Sequence, residues 1–159
     1  MSRDPAARTM GAMTSIDPSA TIGHVHLKVA DLDRALAFYR DALGFELRGR
    51  IGDQTAFLAA GDYHHHIALS ALENPAHSAI RFPTRAALAG AARRLVEHGY
   101  TIDHGSDHGG SEALYLADPD GNGIELYWDR PQDQWPRTPD GRLALVNLPL
   151  DVDALLSAA

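Results

Sequence analysis

Cysteine is absent from the 159 residues, which removes disulfides and thiolate ligands and leaves histidine and carboxylate to hold any metal. No apolar run approaches the roughly 20 residues that cross a bilayer, and the N-terminus lacks the apolar stretch of a secretion signal. Lys and Arg number 14 against 21 Asp and Glu, a net charge of −7, with no basic cluster. Nucleic acids and anionic membranes both require a basic surface, so neither is an expected partner. These absences point to a cytoplasmic protein that works on small molecules.

What is present suits a single core: 45% of the residues are hydrophobic, and the length fits one domain. Residues 1–20 contain Met1, Met10 and Met13 among Ala, Ser, Pro, Asp and Arg without periodicity, and read as a mobile leader. Residues 21–130 read as the domain and 131–159 as a C-terminal extension. Within that extension a short strand is expected near Leu143–Val146, followed by a helix capped by Asp151.

The domain contains the same unit twice. Gly23-His24-Val25-His26-Leu27-Lys28-Val29 leads into a helical stretch ending at Gly44-Phe45, and Ala76-His77-Ser78-Ala79-Ile80-Arg81-Phe82 leads into another ending at Gly99-Tyr100. The period of about 55 residues is too coarse for a solenoid and too short for two independent domains, so these are two halves of one domain. In the first strand Val25, Leu27 and Val29 alternate with His24, His26 and Lys28, placing the histidines opposite the apolar row. Asp31 is expected to cap a helix carrying the stripe Leu32, Ala35, Leu36, Tyr39 and Leu43. Thr84 is expected to cap its counterpart through Leu88, Leu95 and Val96.

The run Asp118-Pro119-Asp120-Gly121-Asn122-Gly123 reads as a tight turn in which Gly and Asn supply positive φ. It delivers Glu125 onto the last strand, where Glu125 and Tyr127 oppose Ile124, Leu126 and Trp128. His24, His77, Tyr115 and Glu125 thus fall on faces opposite the main apolar rows. Two histidines and one carboxylate with open positions beside them form the arrangement used for non-haem Fe(II). His26 and Lys28 read as lining the mouth of the cleft, and His64 and His66 as structural or peripheral.

Over residues 21–130 the chain resembles the vicinal oxygen chelate superfamily, which includes glyoxalase I, bleomycin-resistance proteins and extradiol ring-cleaving dioxygenases. The motifs that carry the resemblance are Gly23-His24-Val25-His26-Leu27-Lys28-Val29-Ala30-Asp31-Leu32, Phe38-Tyr39, Leu43-Gly44-Phe45 and Asp118-Pro119-Asp120-Gly121-Asn122-Gly123-Ile124-Glu125. The resemblance implies an α+β fold of two βαβββ repeats, about residues 21–73 and 74–130, forming one curled, mixed sheet around a metal cleft with helices on the outer face. It implies a metal site of His24, His77 and Glu125. Ala68 stands where glyoxalase I enzymes carry a further glutamate, which favours the dioxygenase branch.

That branch implies catalytic roles for Tyr115 and His65, and for His108 with His104 as the alternative. Strict alternation would place His64 and His66 with Ala68 and turn His65 away, unless a bulge or strand start intervenes. The function implied is Fe(II)-dependent extradiol cleavage of a catechol-like aromatic by O₂, in a protein resembling single-module, homodimeric relatives. The alternatives are a glyoxalase-like isomerase or lyase using Mn, Zn or Ni as a Lewis acid, and a metal-free drug-binding protein.

Overall fold

A computed structural model describes residues 15–72, 76–144 and 146–157. Most of the expected leader, residues 1–14, lies outside the described residues.

The first half runs β1 (Thr21–Lys28), α1 (Leu32–Leu36) extended by a π-helical turn (Ala37–Ala42), β2 (Glu46–Ile51), β3 (Thr55–Ala59) and β4 (Ile67–Ser70). The second repeats the order: β5 (His77–Phe82), α2 (Arg85–Glu97), β6 (His104–Asp107), β7 (Ser111–Ala117) and β8 (Gly123–Asp129). A 3₁₀ turn (Gln132–Gln134), β9 (Leu148–Pro149) and α3 (Val152–Ser157) follow. The nine strands of the described residues form one mixed sheet in the order β2-β3-β4-β1-β5-β8-β7-β6-β9. Strands β1 and β5 pair antiparallel at its centre, and each is flanked by the parallel last strand of its own half. The expected pair of βαβββ units in an α+β fold is what the chain forms.

Local chemistry explains the helices. The Asp31 carboxylate accepts from the Arg34 amide at 2.8 Å, and the Thr84 hydroxyl from the Ala87 amide at 3.0 Å, so each cap satisfies an orphan donor. Leu32 and Leu36 are buried under the sheet, but Leu43 is exposed, contrary to the expected stripe. The wide π turn after Leu36 adds residues per turn and rotates Leu43 off that face. In α2, Leu88, Ala89, Ala91 and Ala92 are buried and Val96 is exposed.

The outer core holds Phe82, Leu88, Leu114, Leu126 and Leu155. Each fully buried leucine there contributes about 1.5–3 kcal/mol. A second cluster, Leu32, Leu36, Ala56, Leu58 and Leu69, lies under α1. The remaining face carries only the small cluster Ala79, Ala113 and Tyr127 with Tyr115, and this is where the histidines gather.

The extension corrects one expectation. The strand is Leu148–Pro149, paired with β6, rather than Leu143–Val146; Leu143 makes an isolated bridge with Arg137, and residue 145 lies outside the described residues. The expected helix cap is present, Asp151 accepting from the Ala154 amide at 2.9 Å. Among the described residues no helix is long and apolar enough to cross a membrane.

Candidate metal centre

The central strand pair sets the site. His24 lies opposite Ala79 and His26 opposite His77, so these four side chains share one face of the sheet. The parallel neighbour places Glu125 beside Ala79. The pairing His26–Ala68 between β1 and β4 is the counterpart of Ala79–Glu125 in the other half. Two glycines permit this packing. At Gly23 the register of β1 shifts, and a Cβ there would fall on the phenol oxygen of Tyr127. At Gly123 a Cβ would lie 2.6 Å from the Ala76 carbonyl oxygen, where β8 first approaches β5.

The turn before Glu125 is held differently from the sequence expectation. Gly121 alone in it has positive φ, at 85°, while Asn122 does not. The Asp118 carboxylate supplies the rest, accepting from the Asp120 amide at 3.0 Å, the Asn122 amide at 2.8 Å and the Asn122 side chain at 2.8 Å. With the loop clasped by a side chain, asparagine needs no left-handed backbone.

His24, His77 and Glu125 each offer one ligand atom, and these atoms lie within 4.8 Å of one another. Both imidazoles aim Nε2 at the same carboxylate oxygen, Glu125 Oε2, at 3.1 Å for His24 and 2.9 Å for His77. Burial alone would raise the Glu125 pKa, but hydrogen bonds from His24 and His77 and their charge hold it well below the carboxylate range. A buried carboxylate facing two imidazole nitrogens is a donor set that fits a divalent cation with open positions. Among the described residues the Nδ1 of His24 has no hydrogen-bond partner. Its ring is positioned instead by His65 and Tyr127, with centroids 4.2 and 5.1 Å away.

His65 reaches the cleft because it precedes β4 rather than belonging to it, so the alternation that would turn it outward does not apply. Burial, then the neighbouring His24 and His64, hold its pKa well below the ordinary histidine value. His66 turns the other way, taking the Ala60 amide on Nδ1 at 3.3 Å. Tyr115 pairs with Glu125 across β7 and β8, and burial followed by the Glu125 charge raises its pKa. His108 Nε2 lies 3.0 Å from the Tyr115 hydroxyl, and its Nδ1 lies 3.2 Å from the Val146 carbonyl oxygen. A carbonyl only accepts, so His108 Nδ1 carries a hydrogen toward Val146. His104 is exposed and stacks on the other side of Tyr115, centroids 4.7 Å apart.

His26, expected at the mouth of the cleft, and His64, expected to be structural or peripheral, both sit inside it. His26 packs beside His77, ring centroids 4.8 Å apart, with its Nε2 buried and without a hydrogen-bond partner among the described residues. Burial, then the neighbouring His77 and His24, push its pKa down to about 4. His64 bridges His65 to Asp129. Tyr63 was also missed; its hydroxyl lies 2.6 Å from that of Tyr127 and 2.8 Å from Asp129 Oδ2.

Residues 21–126 match the sequence model of the Glyoxalase/Bleomycin resistance protein/Dioxygenase superfamily. The chain belongs to this superfamily. Its similarity to the superfamily member described as catechol-2,3-dioxygenase in Bacillus subtilis (strain 168) is 39% identity over 160 aligned positions, covering 92% of this chain and 55% of that protein. A manganese-dependent 2,3-dihydroxybiphenyl 1,2-dioxygenase of Geobacillus genomosp. 3 is 30% identical over 129 positions, covering 77% of this chain and 40% of that one. Among solved structures, the Mn(II)-bound glyoxalase from Novosphingobium aromaticivorans superposes with a TM-score of 0.60 at 27% identity, over 67% of this chain and 37% of that chain. A catechol 2,3-dioxygenase structure gives 0.60 at 22% identity, over 68% and 40%, a likeness of fold. This superfamily member spans about half the length of the curated relatives it matches.

Proposed function

We propose that this protein cleaves a catechol-like aromatic beside its two hydroxyls with O₂, using a divalent metal, Fe(II) in the first instance, held by His24, His77 and Glu125. The observation that carries the reading is the convergence of these three donor atoms, with Ala68 at the position of the other half that is equivalent to Glu125. The similarity to the Bacillus subtilis catechol-2,3-dioxygenase supports the substrate class. When bound, the metal supplies a Lewis-acidic, redox-capable centre with positions for both substrate oxygens and O₂. Nitrogen and carboxylate donors suit Fe(II) and Mn(II) alike, and the manganese-dependent relative makes Mn(II) the next choice.

The chain's own residues then have separable tasks. His65, neutral in its desolvated setting, accepts a substrate hydroxyl proton. Tyr115 keeps its phenolic proton because burial raises its pKa, and it donates to a substrate oxygen. His108 holds that hydroxyl in position until then. Pairing of two copies, which the resemblance implies, belongs to the same reading.

The test is metal content of untagged protein purified anaerobically, followed by O₂ uptake with a panel of catechols. Near-stoichiometric iron or manganese, with catechol-dependent uptake and a ring-fission chromophore, both lost in His77→Ala, is the expected result. Stoichiometric metal without uptake favours a glyoxalase-like isomerase or lyase. No metal after reconstitution leaves a small-molecule binding protein.

A further inference from the structure

His65 and His64 meet nitrogen to nitrogen, Nδ1 to Nδ1, at 2.7 Å. The opposite nitrogen of His64, Nε2, lies 2.8 Å from Asp129 Oδ1. Asp129 ends β8, on the same face of that strand as Glu125. Three side chains thus form one hydrogen-bonded row from the cleft outward. Its outer end, Asp129 with Tyr63 and Arg81, borders a cavity of about 510 Å³ shared with Trp128, Arg130 and Trp135.

The direction of each hydrogen bond in this row follows from its outer end. Asp129 Oδ2 accepts from Arg81 Nε at 2.7 Å and from the Tyr63 hydroxyl at 2.8 Å, the surroundings of an ionised carboxylate. Oδ1 is then an acceptor too, and His64 Nε2 carries the hydrogen. In its singly protonated form His64 spends its one N–H on Asp129, which leaves Nδ1 bare. His65 Nδ1 is therefore the donor, and His65 Nε2 is left without a hydrogen. Among the described residues that Nε2 has no hydrogen-bond partner, and the ring stands 4.2 Å from that of His24, beside the cleft.

We propose that Asp129, acting through His64, fixes the tautomer of His65 so that a bare Nε2 faces the metal cleft. His64 and Asp129 are then positioning residues for the proton-accepting step, and in that use the inference rests on the proposed function. The tautomer itself rests only on the geometry of the row. The run His64-His65-His66 holds three different jobs: His65 faces the cleft, His64 orients it, and His66 ties back to the Ala60 amide.

Asp129→Asn inverts the row. Arg81 and Tyr63 still require an acceptor, so the amide oxygen turns to them and the NH₂ turns to His64. His64 Nε2 then accepts, His64 Nδ1 donates, His65 Nδ1 accepts, and His65 Nε2 carries the hydrogen into the cleft.

Long-range ¹H–¹⁵N correlation spectra of the ¹⁵N-histidine-labelled full chain, metal-free and again loaded with diamagnetic Zn(II), read this directly. The expected wild-type result is His65 protonated on Nδ1 and bare on Nε2, reversed in Asp129→Asn. In the iron-loaded enzyme the same variant is expected to lower kcat about 10- to 100-fold with KM changed less than about two-fold, the scale of outer-shell substitutions. A wild-type His65 protonated on Nε2 overturns the proposal, whether or not Asp129→Asn folds. An unchanged His65 tautomer in a folded Asp129→Asn overturns it as well. Tautomers as stated in a protein that cleaves no catechol sustain the assignment while removing the proposed function.

Discussion

Ala68 and Glu125 are equivalent positions in the two halves of the sheet: Ala68 lies beside His26 on β1, and Glu125 beside Ala79 on β5. One half delivers a carboxylate to the centre and the other a methyl group. A glutamate at 68 would approach the same point from the opposite side. Ala68→Glu is therefore expected to retain or tighten metal binding while lowering O₂-dependent turnover at least about 10-fold, by closing positions that substrate and O₂ need. Metal titration and oxygen-electrode assays on the same preparation check both halves of this expectation. Undiminished turnover would mean that side of the centre is not the open one.

Removing a proposed ligand is expected to act on metal before chemistry. His77→Ala and Glu125→Gln should each weaken metal binding by more than the roughly 10- to 100-fold typical of outer-shell changes. Stabilisation of the fold by added metal, which follows RT ln(1 + [L]/Kd), should shrink in parallel. Elemental analysis with thermal melts at matched metal concentrations tests this, and full occupancy in either variant would remove that residue from the site.

His65→Gln separates the proton acceptor from the metal ligands. Metal content is expected to stay near that of the wild type while kcat falls about 100- to 10,000-fold, the range for loss of a general base. Single-turnover decay of a catechol under saturating O₂ measures it. Loss of metal instead would assign His65 a ligand role.

The strand phase made much of this site legible in advance. His24, His77, Tyr115 and Glu125 lie in regular strands, where a period of two fixes the face, and all four sit where alternation puts them. His65 could not be read that way because it stands in the turn before β4, where no period applies. The His64–Asp129 contact joins residues 65 positions apart, and nothing in the local spacing announces it. Leu43 was misread because an α-helical stripe was carried through what is a π turn. On the third strands of the two halves Phe57 pairs with Ala68 as Tyr115 pairs with Glu125, so Phe57 is the counterpart of Tyr115.

Gly23 offers a packing test independent of activity. Its missing side chain is filled by the Tyr127 phenol, so Gly23→Ala is expected to destabilise the fold by about 1–3 kcal/mol through overpacking. Adding Tyr127→Phe should return part of that loss, since it removes the clashing oxygen. Denaturant unfolding of the two single variants and the double variant closes the cycle. Purely additive effects would contradict the contact.

Asp107 supplies a pH dependence. Hydrogen bonds from Arg130, at 2.7 and 2.9 Å, outweigh burial and hold its pKa below the ordinary carboxylate value. A folded-state value lower than the unfolded one adds stability that is fully present above about pH 4 and is lost as pH falls through the folded value. Asp107→Asn is expected to cost about 0.5–1 kcal/mol at neutral pH and to flatten that part of the acid limb. Urea unfolding across about pH 2 to pH 7 decides it, and an unchanged acid limb would count against the Arg130 pairing.

Strand β9 makes the two ends of the sheet unlike. Beyond β6 it adds only Leu148 and Pro149, and proline has no N–H to offer a further strand. At the other end no strand of the described residues covers β2, which carries Glu46, Arg48 and Arg50 along it. A ribbon with two receptive ends can be lengthened by one copy after another, whereas a ribbon receptive at one end only can be joined once. Edge-to-edge association of this chain through β2 would then stop at a pair, with the two-residue strand ending the ribbon where a fibre would have to grow.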